Sequence, residues 1–75
     1  MIKELGSVVL TTDVSELGLA PGDIGTVVMV HDRDATYEVE FVALDGETIE
    51  VTTLTASQIR SVREGEIAHA RQVAA

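Results

Sequence analysis

Between Tyr37 and Phe41 the chain alternates strictly, with Tyr37, Val39 and Phe41 apolar and Glu38 and Glu40 charged between them. A period of two belongs to a β-strand, whose successive side chains point to opposite faces, and not to a helix. One face of this segment is therefore core and the other water, and further strands must cover the apolar face. In 75 residues there is room for one core only. Tyr37 and Phe41 are the only aromatic residues, so that core is built from Val, Leu, Ile and Ala.

The remaining strands are read from short β-branched runs between turn signals. Ser7 to Thr12 forms the first, closed by Asp13. Over residues 13–23 two glycines and Pro21 break any period, while Val14, Leu17 and Leu19 offer apolar anchors, which predicts a long loop with buried feet. Gly25 to His31 carries an unbroken Val/Met run and reads as a central strand. Asp32 to Ala35 is a polar hairpin connection leading into the alternating strand. Asp45-Gly46 predicts a tight turn with two central residues at positive φ, before a strand over Thr48 to Leu54. Thr55 to Gln58 is a connector able to form one helical turn, and Ile59 to Arg63 a last short strand.

This order predicts an all-β domain, a small five-stranded SH3-like barrel over residues 1–63, with an open meander or OB-like barrel as the alternative. Residues 64–75 hold too few large apolar side chains for an isolated helix and predict a flexible or weakly helical C-terminal tail. The expected core is Val8 or its neighbour, Leu10, Val28, Tyr37, Val39, Phe41, Ile49, Val51 and Val62. So small a core predicts a homodimer, which adds buried area.

The stretch Gly18-Leu19-Ala20-Pro21-Gly22-Asp23-Ile24-Gly25-Thr26-Val27-Val28, followed by Tyr37 to Phe41, resembles the first hairpin of SH3-like barrels, including ribosomal KOW segments, photosystem I accessory barrels and nitrile hydratase β-type domains. From Val8 to about Val62 the chain resembles a family of small bacterial domains of uncharacterised function that stand beside toxin-like partners. That resemblance implies an antitoxin or immunity role and supplies no catalytic signature.

Charge narrows the partners. Thirteen acidic against five basic residues give a net charge of −8, which removes the electrostatic term of nucleic-acid and anionic-lipid binding and favours a basic protein partner. Ribosomal KOW segments are basic, whereas Arg33 is the one cation among seven acids between Asp32 and Glu50. With no cysteine there is neither disulfide nor thiolate chemistry, which predicts a reducing cytoplasmic setting. The absence of a long uncharged apolar run argues against a membrane span.

Individual motifs read as structure rather than chemistry. Gly22 and Gly25 flank Asp23-Ile24 without a P-loop Lys or a following helix, so they read as turn glycines, with Asp23 accepting backbone N–H bonds. Asp32-Arg33-Asp34 is a fragment of a calcium loop without its glycine or closing glutamate, and His31 and His69 lack ligand spacing. Ser7, Ser15, Ser57 and Ser61 have no His-Asp arrangement nearby. No enzyme, catalytic residue, metal or cofactor is predicted.

Glu38, Glu40 and Glu50 stand out, because alternation on adjoining strands is expected to project them together from the sheet with no cation beside them. The sequence thus predicts a non-catalytic protein-binding module that uses this acidic face. The alternatives are an accessory subunit packing on a larger enzyme, and an RNA-binding KOW-like barrel.

Overall fold

The computed structural model describes residues 2–31 and 35–73. The hairpin tip Asp32-Arg33-Asp34, with its calcium-loop fragment, lies outside the described residues. Among the described residues five strands are formed: β1 Ser7–Leu10, β2 Ile24–His31, β3 Thr36–Val42, β4 Thr48–Thr55 and β5 Ile59–Ser61. All neighbours are antiparallel in one open sheet of order β4-β3-β2-β1-β5. The protein is all-β, and its order and connections are consistent with an SH3-like barrel. Its described helices are two three-residue 3-10 turns, Ser15–Leu17 and Ala56–Gln58. The second sits where one helical turn is expected, inside a capping box made by Thr55 and Gln58.

The core comprises Val8, Leu10, Leu19, Val27, Val39, Phe41, Leu54 and Ile59, with Val14, Leu17, Val30, Tyr37 and Ile49 packed against it. The long loop has the apolar feet its sequence suggests. Val14 and Leu19 exchange backbone bonds of 3.0 and 3.1 Å, so the segment folds on itself instead of running free.

Three expected core residues lie elsewhere. β2 pairs Val27 with Val39 but Met29 with Glu38, so Val28 is an extra residue in a bulge and Val27 is the one buried. β4 carries a second irregularity, with Phe41 opposite Glu50 and Val42 opposite Thr48, and beyond it Val51 faces outward, 46% exposed. Val62 lies past the end of β5 and is also exposed. Leu19, Val27, Leu54 and Ile59, outside the expected set, are in the core.

The Asp-Gly turn also differs from expectation. Gly46 N–H donates to the Ala43 carbonyl and Ala43 N–H to the Glu47 carbonyl, both at 2.8 Å. Within this turn only Gly46 has positive φ, at 93°. This is a three-residue hairpin loop closed by a glycine bulge, which needs one left-handed residue rather than two.

Residues 62–73 contain neither helix nor strand. They run back across the start of β2, anchored by Arg60 with Glu66 and by Arg71 with Asp23.

Candidate acidic docking face

The outer face of β2, β3 and β4 is set by register. Across it run the rows Thr26–Glu40–Val51, Met29–Glu38–Thr53 and His31–Thr36–Thr55. Glu38 and Glu40, two apart on β3, therefore project together. Glu50 does not join them. It stands opposite Phe41, in the phase of the core-facing residues, because the bulge shifts β4 by one position.

Both carboxylates are held by neighbouring strands. Glu38 Oε2 accepts the Thr53 hydroxyl at 2.5 Å and lies 2.9 Å from His31 Nε2. An ionised carboxylate only accepts, so that His31 nitrogen carries the proton. The Thr53 hydroxyl first, and His31 second, hold the Glu38 carboxyl below its ordinary range. Glu40 Oε2 accepts the Thr48 hydroxyl at 3.0 Å. Exposed apolar groups share the face, with Met29 50%, Val51 46% and Val42 43% exposed.

His31 is the residue that strand alternation alone does not place here. Its imidazole joins the Thr53 hydroxyl on the Glu38 carboxylate. The signal was present in the hairpin. Pairing His31 with Thr36 sets Glu38 on the diagonal, within reach of a long side chain.

Two open clefts, of about 920 and 790 Å³, flank the C-terminal segment, and neither is lined by Glu38 or Glu40. Among the described residues no group of three or more His, Cys, Asp or Glu side chains is placed to hold a metal ion. The face presents two oriented carboxylates beside exposed apolar side chains, an arrangement suited to contact with a cationic, partly apolar surface.

Fold and face together define a small all-β domain built on one five-stranded antiparallel sheet. The chain belongs to the family described as a domain of unknown function (DUF4926), whose model matches residues 4–61, from before β1 to the end of β5. No match was found among curated proteins or solved structures. No described helix is long and apolar enough to cross a membrane.

Proposed function

We propose that this protein is a non-catalytic binding module that docks a basic protein partner on the outer face of β3, centred on Glu38 and Glu40. The observation that carries the reading is the fixation of both carboxylates by threonines of β4 beside exposed Met29, Val42 and Val51. Charges already oriented lose less side-chain freedom on docking, and the apolar neighbours supply area to bury. The net charge of −8 adds long-range attraction for a cation.

The partner is a toxin-like protein, and the role that of an antitoxin or immunity protein in the bacterial cytoplasm. This part rests on the resemblance of Val8 to Val62 to small bacterial domains with an SH3-like barrel. Native co-purification tests it. A small basic protein in stoichiometric amount supports the reading, whereas a large metabolic enzyme or nucleic acid contradicts it.

A further inference from the structure

Arg71 is gripped by a receptor that its own segment does not build. Its Nε donates to Asp23 Oδ1 at 2.7 Å and one terminal nitrogen donates to Asp23 Oδ2 at 2.5 Å. The same nitrogen donates to the Gly18 carbonyl at 2.9 Å. Asp23 Oδ2 also accepts the Ala20 N–H at 2.9 Å, which fixes the carboxylate plane.

The receptor backbone is tied to the sheet. Gly22 N–H donates to the Leu10 carbonyl and Leu10 N–H to the Asp23 carbonyl, both at 2.8 Å. A planar fork matched to two carboxylate oxygens and a carbonyl selects a guanidinium over an ammonium.

Receptor and occupant differ in standing. Gly18 to Asp23 lie inside the family match at 4–61, and Arg71 lies ten residues beyond it. Ile67, Ala68, His69 and Ala70 are all exposed, Ile67 at 92%. The segment is thus held by polar anchors at Glu66 and Arg71 rather than by burial. Along it lie the two clefts, whose apolar lining includes Leu19, Ile24 and Phe41.

We propose that Asp23 and the Gly18 carbonyl form an arginine-binding site, occupied in cis by Arg71, which an arginine of the cationic partner enters when the C-terminal segment lets go. The segment is then a competitor built into the chain. It lowers apparent affinity for a foreign arginine by the fraction of time the site is filled. The partner's chemistry rests on the proposed docking of a basic protein; the site itself is testable without any partner.

The test titrates the full-length Arg71→Ala protein with the peptide acetyl-Ala-Arg-Gln-Val-amide, which copies residues 70–73, following the Gly18, Ala20 and Asp23 amide signals by NMR. Saturable binding is expected, with the unsubstituted protein at least about tenfold weaker because its tethered arginine competes. The same peptide with lysine for arginine is expected to bind at least about tenfold more weakly than the arginine peptide. Asp23→Asn added to Arg71→Ala should abolish binding. Arg71→Lys provides a second opened site should Arg71→Ala disturb the fold. No saturable binding to either opened protein, equal binding of the lysine peptide, or equal binding to the unsubstituted protein would overturn the proposal. Because no partner enters these measurements, such a result leaves the acidic-face reading standing.

Discussion

Gly25 and Phe41 face each other across the β2–β3 ladder, and a Cβ on Gly25 would stand 3.0 Å from the Phe41 ring and 2.6 Å from a Val39 methyl. The Val39 methyl, the Glu40 carbonyl oxygen at 3.0 Å and the ring together occupy the space a side chain at position 25 would need, which favours a glycine there. Gly25→Ala is expected to destabilise by roughly 1–3 kcal/mol through overpacking, and Phe41→Ala by roughly 3–5 kcal/mol through loss of the core aromatic. Urea unfolding should show the two to be non-additive, with Gly25→Ala costing less once the ring is gone. Full additivity would show that the ring is not among the groups that crowd position 25.

Gly46 answers to backbone conformation alone. It has φ of 93°, and an added Cβ there meets nothing within 4 Å. Gly46→Ala is therefore expected to cost about 1–2 kcal/mol, the penalty of a left-handed L-residue. Gly46→Val should cost more, since β-branching tolerates that conformation least. An unchanged urea midpoint for Gly46→Ala would mean the turn has another geometry.

Much of this fold is legible in the chain because alternation reports strands directly. Tyr37 to Phe41, the apolar feet at Val14, Leu17 and Leu19, and the one-turn connector at Ala56–Gln58 all obey local pattern. What the pattern hides is the bulge. An inserted residue leaves composition unchanged but reverses the facing of every later residue in its strand, so after Val27 it is Met29 that faces outward and Val30 that packs on the core, and Glu50 parts from Glu38 and Glu40. Contacts over long sequence separation are also invisible to periodicity, and the Arg71–Asp23 clamp spans 48 positions.

The second anchor of the C-terminal segment sets a titration. Both Arg60 terminal nitrogens donate to the Glu66 carboxylate, at 2.9 and 2.6 Å, and the Arg63 N–H donates to it at 2.6 Å. Led by the Arg60 bonds, these lower the Glu66 pKa from its ordinary 4.5 to about 2. Because the folded value is the lower one, the contribution to stability is complete above pH 4.5 and fades as pH falls toward about 2. Carboxyl NMR should place the Glu66 midpoint near 2 and move it upward in Arg60→Ala. A midpoint near 4.5 in the unsubstituted protein would show that the anchor does not form in solution.

The acidic face is tested most directly by association kinetics with the co-purifying partner, comparing the unsubstituted protein, Glu38→Gln/Glu40→Gln, and Glu50→Gln at low and high ionic strength. Charge on a docking face acts mainly on the association rate, and salt screens it over roughly 10 Å at 0.1 M. Gln keeps size and polarity, so the paired substitution removes charge alone. The pair is expected to slow association at low salt, with the deficit closing as salt rises, and Glu50→Gln, in register with Phe41, to have the smaller effect. Unchanged association of the pair at low ionic strength, or a Glu50→Gln effect as large as the pair's, would contradict docking through Glu38 and Glu40.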